Sequence, residues 1–215
     1  MIKNWEEMKV KHFLKIRDIN ALQKKTNDEK NLMVGAILAE IDYEDFIQLP
    51  LSKVEELMNN AMFLTETPKA GKVKNHYTIN NKEYDLLKRA NELTVAQYID
   101  FQMIQNDGFE NHIPEMLAIF LVPKGHKYND GYNNEEVVDD MLEMSVKEAY
   151  SIADFFTQKY LKLMQHTLRY LKVMVKTIQV TTRKKDREKM KAIVLEMNLA
   201  ITELEHLYGS LLLKQ

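Results

Sequence analysis

The sequence predicts a mainly α-helical protein, built as two similar small helical units with an inserted β-hairpin and followed by a long C-terminal helical hairpin. Three observations carry this. Glycine and proline are scarce, 6 and 4 in 215 residues, so little interrupts helices. A set of apolar positions and helix caps recurs in order along the chain. The last third keeps a three-and-four apolar spacing over long stretches free of glycine and proline, the pattern of helices packing along one seam.

The recurrence has three parts. Glu7-Met8-Lys9-Val10-Lys11-His12-Phe13-Leu14-Lys15-Ile16 aligns with Glu92-Leu93-Thr94-Val95-Ala96-Gln97-Tyr98-Ile99-Asp100-Phe101. Ala36-Ile37-Leu38 answers Ala118-Ile119-Phe120, and Leu49 to Glu55 answers Leu142 to Glu148. The order predicts an internal duplication whose second copy carries an insertion. The shared positions are packing residues and caps, not chemical groups, so what repeats is a way of packing.

The first unit, residues 1–64, reads as amphipathic helices through Val10, Phe13, Leu14 and through Leu32, Met33, Ala36, Ile37. Ser52-Lys53-Val54-Glu55 has the spacing of a capping box, in which the serine oxygen accepts an orphan amide and the glutamate reaches back, and predicts a helix from about 52 to 63. Residues 65–89 change period. His76-Tyr77-Thr78-Ile79 and Lys82-Glu83-Tyr84 flank Asn80-Asn81, a dipeptide suited to positive φ, and predict a hairpin, taken as an exposed flap because a lone hairpin needs something to pack on. The second unit, 90–144, repeats the cap as Thr94-Val95-Ala96-Gln97. It adds an irregular stretch from Pro123 to Asn134 that includes Lys124, Tyr128 and Tyr132, a candidate contact surface.

Residues 145–215 open with Ser145-Val146-Lys147-Glu148, another capping box. Phe156, Tyr160, Met164, Leu168, Leu171, Val175 and Ile178 line one face of a first helix, which at ~1.5 Å per residue would reach roughly 50 Å. Met190, Val194, Met197, Ile201, Leu204, Tyr208 and Leu211 hold a heptad seam on the second. Leu161, Leu163, Val173 and Met174 fall off the main seam and are candidate interface positions. Arg183, Lys184, Lys185 and Arg187 form a basic tip between the helices. It is interrupted by Asp186 and Glu188 and lacks interleaved aromatic residues for base stacking; a weak contact with nucleic-acid phosphates or an acidic protein surface is the expectation.

Charge is divided. Residues 1–144 hold 17 Lys+Arg against 25 Asp+Glu, and residues 145–215 hold 13 against 7, so an acidic body is joined to a basic tail. Opposite-signed parts of neighbouring copies attract, and salt weakens the attraction. With no cysteine, disulfide and thiolate chemistry are excluded. No apolar run reaches the ~18 residues of a membrane span, and Met1 to Glu7 holds no apolar core of signal-peptide length; a chain that is not exported and does not enter membranes is expected.

Catalytic signatures are missing from the sequence. The six histidines make no metal-ligand spacing and no HExxH occurs. Neither phosphate-binding glycine motif appears, and Asn129-Asp130-Gly131 lacks the alternating oxygens of a calcium loop. Glu40-Ile41-Asp42-Tyr43-Glu44-Asp45 reads as a solvated loop or helix start, and Glu135, Glu136, Asp139 and Asp140 as a charged outer face. The expectation is a non-enzymatic protein without cofactor.

Leu93-Thr94-Val95-Ala96-Gln97-Tyr98-Ile99-Asp100 and Pro114-Glu115-Met116-Leu117-Ala118-Ile119-Phe120-Leu121-Val122-Pro123-Lys124-Gly125 resemble small tail and neck morphogenesis proteins of bacteriophages. The Lys/Asn-rich style is similar to phages of Bacteroidetes hosts, the crAss-like phages included. The likeness covers about residues 90–160 and extends faintly over 5–64. It implies a virion ring component of the head-to-tail connector or tail, with copies of itself and neighbouring connector or tail proteins as partners. A tail assembly chaperone that leaves the finished particle is the alternative role. The resemblance carries over no active-site residues.

Overall fold

The protein, seen in a computed structural model, is described over residues 1–87, 93–107, 111–181, 191, 193–202 and 205. It is mainly helical with one small antiparallel sheet. Helices α1 (Val10–Ala21), α2 (Asn27–Ala39), α3 (Tyr43–Phe46) and α4 (Leu51–Asn59) lead into a 3₁₀ turn, Asn60–Thr65. Strands β1 (His76–Ile79) and β2 (Lys82–Leu86) follow, then α5 (Val95–Asp107), α6 (Ile113–Phe120), β3 (Leu121–Pro123), α7 (Asn134–Leu142) and α8 (Val146–Thr181). Two compact units divide the chain, Met1–Asp154 and Phe155–Gln215.

The first unit is closed by its own ends. Lys9 and Ser145 form an antiparallel bridge: the Val10 amide donates to the Met144 carbonyl at 2.9 Å and the Val146 amide to the Met8 carbonyl at 2.7 Å. Met8, Val10, Met144 and Val146 are all buried there. Met8 then joins Ile2, Ile16, Ile19, Val34 and Leu38 in a core to which Trp5, Phe13 and Phe63 are added. Trp5 meets Phe13 and Phe63 edge-on, at 6.5 and 5.1 Å between centroids, the arrangement favoured by the ring quadrupole. A second cluster joins α2, α3 and α4 through Ala36, Phe46 and Leu57. Gly35 permits it, because a Cβ there would lie 2.6 Å from Phe46 Cζ and 2.8 Å from Met58 Sδ.

Helix starts follow the sequence in part. Ser145 is the N-cap of α8: its Oγ accepts from the Glu148 amide at 3.2 Å. Thr94 and Gln97 complete the box before α5, the Gln97 amide donating to Thr94 Oγ1 at 3.2 Å and the Thr94 amide to Gln97 Oε1 at 3.0 Å. Thr26 and Glu29 form another before α2. Ser52 corrects the expectation. It lies inside α4, whose N-cap is Pro50; the Pro50 carbonyl accepts from the Lys53 and Val54 amides, so the helix has begun before Ser52 can cap it. The helix also ends at Asn59 and continues as a 3₁₀ turn, short of the expected single helix to 63.

The hairpin turns at Asn80 (φ 50°) and Asn81 (φ 62°), the pair of positive dihedrals that matches strand twist, with Tyr77 opposite Tyr84 and Ile79 opposite Lys82. It is not an exposed flap. Tyr77, Ile79, Tyr84 and Leu86 are buried, and β3 pairs antiparallel with β2, Leu86 opposite Leu121 and Tyr84 opposite Pro123. The stretch expected to be irregular from Pro123 onward therefore begins in a strand.

Asp140 on α7 locks the turn. This carboxylate, expected on an outer face, is buried and accepts from Asn80 Nδ2 at 2.8 Å, from Lys82 Nζ at 2.8 Å and from the Tyr84 hydroxyl. Burial pushes its pKa up, but the bonds from Lys82, Tyr84 and Asn80 outweigh that and hold it below the usual carboxylate range. Burial and the adjacent Asp140 carboxylate push the Tyr84 hydroxyl well above its ordinary value.

In the second unit Leu168 and Val175 of α8 are buried with Ile201, and Leu171, Val194 and Met197 pack against them. These are the two predicted stripes, meeting as a helical hairpin. Met190, Leu204, Tyr208 and Leu211 of the seam lie outside the described residues.

Replacing Asp140 with alanine removes a buried anion from three donors and should destabilise the protein by about 2–3 kcal/mol, as for hydrogen bonds to charged groups. A depressed carboxylate stabilises above its unfolded pKa, and that stability drains away as pH falls through the lower folded value. Denaturant unfolding of wild type and Asp140→Ala should therefore differ most at neutral pH and converge in acid. Equal stability at neutral pH would contradict the lock.

Candidate assembly surfaces

Helix α5 turns Gln97 and Phe101 inward and carries a second, apolar stripe outward. Gln97 is buried because its side chain has work there: Oε1 completes the Thr94 cap, and Nε2 donates to the Ile119 carbonyl at 2.7 Å. Phe101 meets Phe120 of α6 edge-on at 5.5 Å. On the other side Val95 (76 % exposed), Tyr98 (55 %), Ile99 (50 %) and Met103 (65 %) stand in solvent. Their spacing of three, four and eight from Val95 places them on one face. Exposed apolar residues scattered singly mean little, whereas a contiguous stripe marks a contact surface.

Cover differs between the two stretches aligned in sequence. Phe101 and Phe120 align with Ile16 and Leu38, and both pairs pack inward. The outer positions differ. Val10 is buried beneath the Met8–Val146 bridge and Phe13 is covered by Trp5, while their counterparts Val95 and Tyr98 are bare.

The second unit has a comparable face. Tyr170, Val173 and Val180 project from α8 away from the buried seam, with Val180 83 % exposed, and Leu195 and Leu199 are exposed four residues apart on the returning helix. Of the positions expected off the seam, Val173 is exposed and Met174 half-buried. The side chains of Leu161 and Leu163 lie outside the described residues, as do Arg183, Lys184, Lys185 and Arg187 of the basic tip.

Each of the loop candidates has a partner within the first unit, and Lys124 is also exposed. Lys124 pairs with Glu83 at 2.5 Å. The Tyr128 hydroxyl donates to Asp100 Oδ2 at 2.8 Å, and the Tyr132 hydroxyl accepts from the Asn129 amide at 3.3 Å. Burial, then the Asp100 carboxylate, pushes the Tyr128 hydroxyl up, so this phenol stays protonated as a donor. His126 closes the loop through the Asp130 carbonyl at 3.1 Å and an edge-on contact with Tyr132. These residues fasten the loop to α5 and shape its surroundings.

A groove of about 730 Å³ lies between α1, α2 and α3. Ile19, Met33, Ala36 and Ile37 contribute apolar side chains to its lining, and Asp18, Glu40, Asp42 and Asp45 contribute carboxylates against the single cation of Lys15. His12 reaches it from α1. Burial, then the Lys11 and Lys15 charges, holds its imidazole below the ordinary histidine value, so it adds no positive charge at neutral pH. Among the described residues no group of three or more His, Asp or Glu side chains is placed to hold a metal ion, and no helix is long and apolar enough to cross a membrane.

Sequence reasoning missed the α5 face, although its residues were in view. Their spacing is that of any core-facing helix, and only the position of Gln97 hinted that the polar side was the buried one. If the face is solvent-exposed as described, Tyr98→Lys or Ile99→Lys should shift unfolding free energy by no more than about 0.5 kcal/mol, the usual range for surface changes. Gln97→Ala should cost about 1–3 kcal/mol by stranding buried backbone partners. A large loss from the lysine variants and none from Gln97→Ala would reverse the assignment of faces. Compared with known proteins, the chain matches no family model, no curated protein and no solved structure.

Proposed function

We propose that this chain is a non-enzymatic structural subunit that assembles through its helix faces, and that the assembly is a ring in the head-to-tail connector or tail of a bacteriophage. The single observation that carries the assembly reading is the bare α5 stripe of Val95, Tyr98, Ile99 and Met103, beside a first copy in which matching positions are covered. Burying such a stripe against a neighbour gains roughly 25 cal/mol for each Å² of apolar surface removed from water. An acidic body and a basic tail on one chain favour head-to-tail contacts between unlike surfaces, and contacts of that kind close into rings when the rotation permits. The phage assignment is supported by the resemblance at residues 93–100 and 114–125. Its partners would be other copies of the chain and adjoining connector or tail proteins, and its place the virion.

Mass spectrometry of purified particles tests this reading. The chain should be present in a fixed ratio to the portal or tail proteins, and Ile99→Glu with Met103→Glu should produce particles lacking it. A chain abundant in infected cells but missing from particles would overturn the ring assignment and leave the tail assembly chaperone, a role that would also use an exposed apolar face.

A further inference from the structure

We infer that the groove between α1, α2 and α3 is the receptor for Val180 and the basic sequence 183–191 of a second copy, so that each subunit offers a socket and a plug. The inference rests on the chain being a self-assembling subunit and names the contact that would join the copies.

The socket has an apolar part and a charged part. Ile19, Met33 and Ile37 line this open groove of about 730 Å³. Its carboxylates outnumber its cations four to one. Asp18 is engaged by Arg17 and Glu40 by the Met1 amino group, whereas Asp42 and Asp45 are exposed and have no cationic partner among the described residues. Both sit on or beside α3, fixed in place because Phe46 is fully buried against Ala36 and Leu57.

The plug has the complementary order of groups. Val180, near the end of α8, is 83 % exposed, more than any other large apolar side chain described. The sequence that follows, 183–191, holds six basic residues against two acidic ones. An apolar side chain followed by a cluster of cations matches an apolar floor beside unpaired carboxylates. Because socket and plug are different surfaces, the contact is heterologous and repeats from copy to copy. Charge complementarity of this sort sets partner choice and association rate more than raw affinity, and it is screened beyond about 8 Å at physiological salt.

Charge exchange in the full-length chain, read by sedimentation velocity at low and high salt, tests it. Asp42→Lys with Asp45→Lys reverses the socket; Lys184→Glu with Lys185→Glu reverses the plug. Each pair alone should weaken self-association at least tenfold at low salt. An equimolar mixture of the two variants should recover it, since each native surface then meets its native complement and each reversed surface meets its reversed one. Asp42→Asn with Asp45→Asn, a smaller change, should weaken association in the same direction if the lysine variant does not fold. Unchanged association in the single-surface variants, or a mixture that stays at the mass of its separated components, would overturn the inference. If association ignores these charges but is lost on Ile99→Glu, the socket falls while the structural-subunit reading stands. If the mixture recovers association but the chain is missing from particles, the socket stands and the virion assignment falls.

Discussion

Two backbone hydrogen bonds between residues 8–10 and 144–146 hold the first unit together. Each contributes about 0.5–1.5 kcal/mol net, but they bring four buried side chains, Met8, Val10, Met144 and Val146, into one place. Burying an apolar side chain of this size is worth about 1.5–3 kcal/mol. Around the bridge Lys9 and Lys11 both reach Glu143, at 2.5 and 2.6 Å, and Lys147 reaches Glu6. Burial raises the Glu143 pKa, and the lysines more than offset it, so the carboxylate stays charged. The surface pairs add little individually; their effect is to fix the register of two segments more than 130 residues apart.

The same bridge covers Val10, whereas Val95, aligned with it in sequence, is exposed. It lays the segment before α1 against that helix, where Trp5 packs edge-on against Phe13. The hairpin pairs with β3 and is held by Asp140, and among the described residues α5 packs through Gln97 and Phe101 against α6. A helix covered on one side and apolar on both cannot hide its second face by local adjustment, because its register is already set by Gln97 and Phe101. Exposure of Val95, Tyr98, Ile99 and Met103 follows from the way the unit closes.

Local chemistry was legible in the sequence and long-range partners were not. Asn80-Asn81 announced its turn because few residues tolerate two consecutive positive φ angles. Ser145 and Thr94 announced their caps because the motif supplies both partners within four residues. The same motif misled at Ser52, where Pro50 two positions earlier opens the helix first. β3 was hidden because Leu121-Val122-Pro123 continues the apolar run of α6 and is too short to alternate. Asp140 looked like one of a solvated acidic pair; its donors lie 56 to 60 residues away. Whether an apolar stripe is covered depends on tertiary closure, which no spacing rule reports. The predicted seam through Leu168, Leu171, Val175, Val194, Met197 and Ile201 succeeded because heptads encode their own partner.

The account stands or falls on whether the α5 face is covered when the protein does its work. The chain contains no cysteine, so Met103→Cys introduces a single thiol on that face, and Lys69→Cys provides an exposed control in a loop. Maleimide labelling should be rapid at both sites in dilute protein at high salt. In the assembled protein, labelling at 103 should slow at least tenfold while labelling at 69 is unchanged. Equal reactivity at 103 in the dispersed and assembled states would contradict the assignment of this helix as an assembly surface.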